Sequence, residues 1–274
     1  MRLALIALAL ISAGVAVHVI VVACLNAVDQ GRSVRFSATA LSRLLREWGL
    51  HIVAGATIPL GAYDPGPQRT EGGDSTRTPV ILIPGYGMNR SCLFFFQIYL
   101  RRRGFPWVWI VNNRPHSATV PRYAERLGEA VQRMLRESGG QKVDLVCHSA
   151  GGVIAGWYVR QLGGAASVRR LVTIGTPWHG TRTAVFGQRA HARDLLPGSD
   201  IVAGIAAPPC PTWAIWTRTD GMMVPFSTAA PDGVNTVEVQ DEGHLSMLYS
   251  ARVYRLVRDI LTAPTPALPA EDRV

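Results

Sequence analysis

The chain opens with a long uninterrupted apolar stretch. Residues 3–28 contain no charged side chain, and nearly all of them are Leu, Ala, Ile or Val. As a helix this stretch would be about 39 Å long, more than the roughly 30 Å hydrocarbon core of a bilayer. The pattern therefore predicts an uncleaved transmembrane anchor over residues 1–28. Two alternatives stay open: a cleaved signal peptide, whose apolar core is usually shorter, and a lipoprotein signal that ends at Cys24.

Residues 29–78 show a different pattern. Apolar residues recur at helical spacing over residues 34–48, with charged residues between them, which predicts an amphipathic helix. This helix fits a membrane surface and a contact with the following domain equally well. A linker rich in Pro and Gly follows over residues 61–79, and residues 263–274 form a Pro-rich tail.

Between residues 79 and 262, short apolar runs alternate with helical patterns. The runs that we expect to be strands are 80–83, 107–111, 143–146, 171–174, 213–216 and 237–239. The helical patterns are 120–137, 151–162 and 245–261. This alternation predicts an α/β domain whose mainly parallel, doubly wound sheet is covered by helices on both faces.

Composition narrows the classes of function. Hydrophobic residues make up 48% of the 274 residues and charged residues only 17%, so the chain can bury a sizeable core. The net charge of +9 suits nucleic acid, but the arginines are dispersed and no RNA- or DNA-binding motif is present, so no nucleic acid is expected. An anionic membrane surface accounts for the charge equally well. The four cysteines lack the spacing of a metal site, so no metal is expected.

The strongest local motif lies where the third predicted strand meets a helix. The strand pattern runs through Cys147 into Ser149, Gly151 and Gly152, and a helix follows. A nucleophile elbow needs this context, because its sharp turn lifts a Ser side chain above the end of the sheet while small neighbours let strand and helix approach. Ser149 is therefore the predicted nucleophile, with Cys147 where the first Gly usually stands. The alternative is that Ser149 only caps the helix.

A serine nucleophile needs a base that takes its proton. His148 is adjacent to Ser149, but at a tight turn we expect its side chain to point away. His244 lies between the last strand and the last helix, at the sheet edge where the elbow opens, and is the predicted base. The remaining histidines are His18, His51, His116, His179 and His191.

The third group is a carboxylate that orients the imidazole of the base. Asp220 follows a predicted strand end, and the chain order Ser149, Asp220, His244 is the order expected for a hydrolase with this kind of sheet. The alternatives are Asp200, Asp241 and Glu242. Backbone amides of Tyr86, after the first strand, and of Ala150, after the nucleophile, are the predicted donors to an oxyanion.

Together these motifs resemble the α/β-hydrolase superfamily and, within it, bacterial triacylglycerol lipases and related esterases. The resemblance spans residues 79–261 and rests on Pro84-Gly85-Tyr86-Gly87, on Cys147-His148-Ser149-Ala150-Gly151-Gly152, on Gly175-Thr176-Pro177-Trp178-His179-Gly180, and on Asp220 and His244. In two places the chain departs from the family: Pro84-Gly85 stands where His-Gly is usual, and Cys147 replaces a Gly. Neither change removes a backbone donor.

The resemblance implies a serine hydrolase that cleaves carboxylic esters of lipid-like substrates without metal or organic cofactor, and the predicted anchor over residues 1–28 would tether it to a membrane. It implies a catalytic domain over residues 79–262 in which residues 178–211 form a lid that opens at a lipid surface, or else a fixed excursion packed on the sheet. We expect a single-pass protein of a bacterial inner membrane. The side of the membrane and the oligomeric state stay open.

Two other functions fit the same residues. An acyltransferase or thioesterase would use the same Ser149, Asp220 and His244. The alternative that is not an enzyme is a membrane-tethered binding protein built on a hydrolase scaffold.

Overall fold

The computed structural model describes residues 2–31, 37–115, 117–206 and 208–264. Within these residues, six strands form one parallel sheet in the order β2-β1-β3-β4-β5-β6. The strands are β1 (Val80–Ile83), β2 (Val108–Ile110), β3 (Val143–His148), β4 (Val168–Ile174), β5 (Thr212–Trp216) and β6 (Asn235–Glu238). The predicted parallel sheet is thus confirmed, and the order reverses between β1 and β3, where a parallel sheet opens a crevice at the carboxyl ends of its strands.

Helices cover both faces of this sheet. In the described part of the chain they are α1 (Arg2–Asp29), α2 (Ala38–Thr57), α3 (Phe94–Arg102), α4 (Val120–Ser138), α5 (Ala150–Gln161), α6 (Ala190–Asp194), α7 (Asp200–Ala203) and α8 (Ala251–Thr262). Alternate side chains of β1 show the two layers. Ile81 and Ile83 enter the core under α4 and α5, whereas Val80 and Leu82 enter the core under α3 and α8. All four are fully buried, as expected for a doubly wound sheet.

Several element boundaries differ from the sequence-based prediction. The amphipathic helix α2 runs to Thr57, nine residues past the predicted end at 48, because Leu50 and Ala54 beyond that point pack against the core under α3 and α8. Helix α3 was not predicted. The last helix begins at Ala251 rather than near 245, and a short 3-10 helix at Ser246–Tyr249 precedes it. Residues 265–274 of the predicted tail and His116 lie outside the described residues.

Helix α1 contains a segment, Ala9–Asp29, that is long and apolar enough to cross a membrane. A signal sequence passes the same test of length and composition. The carboxyl end of α1 rests on the α/β domain: the Asn26 amide donates to the backbone oxygen of Asp220, and Asp29 pairs with Arg182 at 2.9 Å. Its amino-terminal half meets α2, where Trp48 donates its indole N–H to a backbone oxygen.

Residues 178–211 form a 3-10 helix (Arg182–Phe186) followed by α6 and α7. Leu195 and Ile205 are buried in the core beside α5. A Cβ on Gly156 of α5 would lie only 3.2 Å from the Cβ of Ile205, so the contact is close. The apolar side chains of the segment are thus only partly covered, because Val185 and Phe186 are exposed.

Candidate active site

Ser149 occupies the turn between β3 and α5. Its φ of 53° and ψ of −126° lie in a region that non-glycine residues rarely adopt. The turn is held from both sides, since the Ser149 N–H donates to Ile174 O at 2.9 Å and the Ser149 carbonyl accepts from Thr176 Oγ1 at 2.9 Å. A strained backbone of this kind persists only when its surroundings fix it. These contacts meet that requirement.

At Gly85 and Gly151, near Ser149, neighbouring atoms lie too close to leave room for a Cβ atom. A Cβ on Gly151 would lie 2.7 Å from the carbonyl oxygen of Ile83, and a Cβ on Gly85 would lie 2.9 Å from the Cβ of Ser149. Larger residues at either position would therefore separate β1 from the turn. Cys147 replaces the other expected glycine without a clash, because its side chain points into the core under α4 and α5 and is fully buried.

The base and the acid expected from the sequence lie together. His244 Nδ1 is 2.8 Å from Asp220 Oδ2, and the Asp220 side chain is fully buried. The second carboxylate oxygen of Asp220 accepts the backbone N–H groups of Met222 at 2.9 Å and Met223 at 3.1 Å. Three donors therefore stabilise one buried negative charge, which otherwise would be costly.

Opposing effects act on the pKa of His244. Burial lowers this pKa, but the charge of Asp220, its hydrogen bond to Nδ1 and the more distant charge of Glu47 outweigh burial, so the pKa of His244 is raised above its ordinary value of 6.5. The imidazole is thereby a stronger base than a free histidine. Because Nδ1 keeps its proton and donates it in the hydrogen bond to the buried carboxylate, Nε2 carries no proton and is free to accept one.

Glu47 of α2 is a site residue that the sequence analysis did not identify. Its two carboxylate oxygens accept the N–H groups of Leu245 at 2.9 Å and Ser246 at 2.7 Å, the two residues after His244. The side chain is buried, and a Cβ on Gly243 would overlap it. The signal in the sequence was helical register: Glu47 lies three residues after Leu44, on the inward face of an amphipathic helix.

The other acidic candidates lie apart from His244 Nδ1. The exposed Asp241 pairs with Arg43 at 3.5 Å, and the partly buried Glu242 pairs with Arg46 at 3.3 Å. Asp200 begins the short helix α7.

The sequence analysis expected His148 to point away from the site, but its side chain lies beside His244. Its ring centre is 4.6 Å from that of His244, and its Nε2 is 3.2 Å from the backbone oxygen of His244. Complete burial, with the neighbouring imidazole, holds the pKa of His148 well below its ordinary range. A neutral His148 therefore supports His244 by contact without adding a charge.

A cavity of about 250 Å³ joins these groups. Ser149, His148 and His244 line it on one side. The opposite side is lined by residues at the carboxyl end of α2 and just beyond, namely His51, Ala54, Gly55 and Ile58. None of the described residues of 178–211 lines this cavity. The element that covers the serine is therefore α2.

The two predicted oxyanion donors lie on either side of the turn. Ala150 is the first residue of α5, so its N–H has no acceptor within the helix. Tyr86 lines the cavity, and its side chain is fixed because its hydroxyl accepts the Arg189 N–H at 2.8 Å and its ring lies 4.6 Å from that of His191. Among the described residues, no group of three or more His, Cys, Asp and Glu side chains is arranged to hold a metal ion.

Gly175 allows a direct test of the packing around the Asp220–His244 pair. Its φ is +58°, and an added Cβ would lie 3.0 Å from Asp220 Oδ2 and 3.2 Å from His244 Nδ1. We expect Gly175→Ala to lower the free energy of unfolding by about 1–3 kcal/mol more than Gly163→Ala, which has a similar φ but no neighbour within 4 Å. Chemical unfolding in detergent measures the difference. The low-field NMR signal of the His244 ring proton should shift in the first variant alone, and equal effects of the two substitutions would contradict close packing here.

No protein-family model matches the chain. Among solved structures, the fold is similar to that of Aspergillus fumigatus lipase B, with a TM-score of 0.61 and 18% identity over 73% of this chain and 57% of that one. It is also similar to the Bacillus licheniformis lipase BlEst2 in mature form, with a TM-score of 0.61 and 13% identity over 71% of this chain and 96% of that one. The chain thus spans just over half the length of the Aspergillus enzyme. At these identities the likeness concerns the fold, and the chain has the α/β-hydrolase fold of these lipases.

Proposed function

We propose that the protein is a membrane-anchored serine hydrolase that cleaves carboxylic esters of lipid-like substrates. One observation carries the proposal: a serine on a strained strand-to-helix turn shares a cavity with a buried histidine whose Nδ1 is bonded to a buried carboxylate. A serine that only capped a helix would need neither the strained backbone nor the paired histidine. This combination is what nucleophilic catalysis by serine requires.

In the proposed reaction, Ser149 Oγ attacks the ester carbonyl while His244 Nε2 takes its proton. The resulting tetrahedral oxyanion accepts hydrogen bonds from the backbone amides of Tyr86 and Ala150. His244 then gives the proton to the leaving alcohol, and an acyl-enzyme remains on Ser149. Water, deprotonated by His244, attacks the acyl group and releases the acid. Asp220 orients the imidazole through its hydrogen bond to Nδ1 and stabilises the imidazolium.

Retention of α1 as a membrane anchor is part of the proposal. Its length and hydropathy suit a membrane span. Its carboxyl end also contacts the loop of Asp220 through the side-chain amide of Asn26. Cleavage as a signal peptide beyond Asn26 would remove this contact. Processing at Cys24 would keep Asn26 but would remove Ser12, whose backbone oxygen accepts from Trp48 of α2. These contacts favour a mature protein that keeps the helix.

Ser149→Ala tests the nucleophile. We expect the variant to lose labelling by a fluorophosphonate probe and turnover of nitrophenyl esters, because Ser149 is the hydroxyl on the strained turn, whereas the Ser91 hydroxyl in the same cavity donates to Asn89. Folding should be unchanged, since the side chain is small and adds little to the core. The exposed Ser227→Ala serves as control and should label like the parent. Labelling that persists in Ser149→Ala would point to another nucleophile.

Asp220→Asn tests the acid. The asparagine would favour the wrong imidazole tautomer, and we expect kcat to fall on the order of 10⁴-fold, the loss found for the same change in a serine protease. Asp200→Asn, which changes a carboxylate at the start of α7, should retain parent activity. The reverse result, an inactive Asp200→Asn and an active Asp220→Asn, would overturn the assignment.

The pH profile tests the contribution of Glu47. His244 must be neutral to take a proton, so kcat/KM rises with pH through the pKa of His244, which is raised in this site. Glu47→Gln removes a negative charge that favours the imidazolium. The pKa of His244 should fall, and the acidic limb of the profile should move to lower pH. Glu242→Gln is the matched control, because Glu242 is neutralised by Arg46. An unmoved limb in Glu47→Gln would show that its charge does not reach His244.

A further inference from the structure

A second, larger cavity lies beside the catalytic one. It measures about 510 Å³ and is enclosed by the carboxyl half of α1, the amino half of α2 and the loops that carry Asp220 and His244. Pockets that bind small molecules are usually about 300–1,000 Å³ in volume and mostly apolar. The size of this cavity is therefore that of a ligand site.

The two cavities meet at His244. His51, Met222 and His244 line both of them. The three shared residues place the larger cavity directly beside the catalytic one, with His244 between them.

One wall of the larger cavity is the apolar helix α1. The cavity follows α1 from His18 to Gln30, which is about 18 Å at the rise of an α-helix. Apart from Gln30, this stretch lies within Ala9–Asp29, the segment long and apolar enough to span a bilayer. If α1 is an anchor, the cavity begins within the depth of the membrane and ends at the catalytic residues.

The charged groups along the cavity are already engaged by protein partners. Glu47 accepts from two backbone N–H groups, Arg43 pairs with Asp241, and Arg218 pairs with Glu238. An ionic ligand would compete with these pairs. The surface left to an occupant is mainly the apolar side chains of both helices, among them Val22, Ala27, Ala40 and Leu44.

We propose that this cavity binds an acyl chain of a membrane lipid ester, which passes from the bilayer between α1 and α2 and presents its carbonyl to Ser149. The inference rests on the proposed function and adds the substrate class and the route of access. A buried methylene contributes about 0.8 kcal/mol, so kcat/KM should rise about fourfold for each CH₂ until the cavity is full.

The main experiment fills the cavity from opposite walls. In the full-length protein in phosphatidylcholine vesicles, Ala27→Trp and Ala40→Trp place an indole in the space. The ratio of kcat/KM for a long-chain to a short-chain nitrophenyl ester should fall more than about tenfold, because the burial of two or more methylenes is lost. Each variant has a control at the next residue, Val28→Trp and Leu41→Trp. These side chains are 68% and 51% exposed and do not line the cavity, so both controls should keep the parent ratio.

A second measurement does not depend on turnover. Ser149→Ala protein in the same vesicles is exposed to a long-chain ester that carries a diazirine on its acyl chain, and the cross-links are mapped by mass spectrometry. Cross-links on α1 and α2 within the cavity are expected, and Ala27→Trp, unlike Val28→Trp, should remove most of them. Cross-links confined to the outer face of α1 would overturn the proposal, as would a chain-length ratio that the cavity variants leave unchanged.

The outcomes separate this inference from the proposed function. Cavity cross-links with no ester turnover in the parent would retain the acyl site and reject the hydrolase. Turnover and probe labelling at Ser149 without cavity cross-links would retain the hydrolase and reject the acyl site.

Discussion

The hydrogen bond between Asp220 and His244 is the interaction on which the rest of the site depends. A carboxylate that is fully buried is stable only if donors surround it, and here two backbone N–H groups and one imidazole do so. The pair needs the space that Gly175 leaves at the end of β4. It also needs two loops, one from β5 and one from β6, held at a fixed separation. Where the loops leave the sheet, the hydroxyls of Thr217 and Thr219 donate to the backbone oxygen of Glu242 and so join one loop to the other.

Further support for these loops comes from the two helices that precede the α/β domain. Asn26 of α1 bonds the backbone at Asp220, and Glu47 of α2 bonds the backbone just after His244. Helix α2 also covers the cavity at Ser149. The sequence analysis treated these helices as an anchor and as a segment before the catalytic domain, but both take part in the site. Glu47 is buried and accepts two backbone N–H groups. Such directional hydrogen bonds restrict the position of a loop more tightly than apolar packing does.

Sequence reasoning worked where the signal was local. The strand, the turn and the helix around Ser149 are neighbours in the chain, and the strand ends before Asp220 and His244 could be read from apolar runs and the loops that follow them. It failed where contacts join distant segments. The role of Glu47 depends on the docking of α2 nearly 200 residues before its partners, and periodicity showed only that a helix exists. Residues 178–211 showed an apolar face, but the pattern could not tell whether the sheet or a lipid surface covers it. The orientation of His148 was misjudged because a turn angle does not reveal the contact with His244.

The order of the chain has a consequence for biosynthesis. Helices α1 and α2 are made first, and the loop that carries His244 is among the last parts of the domain to leave the ribosome. Because domains generally fold from their amino-terminal end during synthesis, α1 and α2 leave the ribosome long before His244 and Glu47 can come together. The arrangement around Ser149 is thus incomplete until nearly the whole α/β domain has been made.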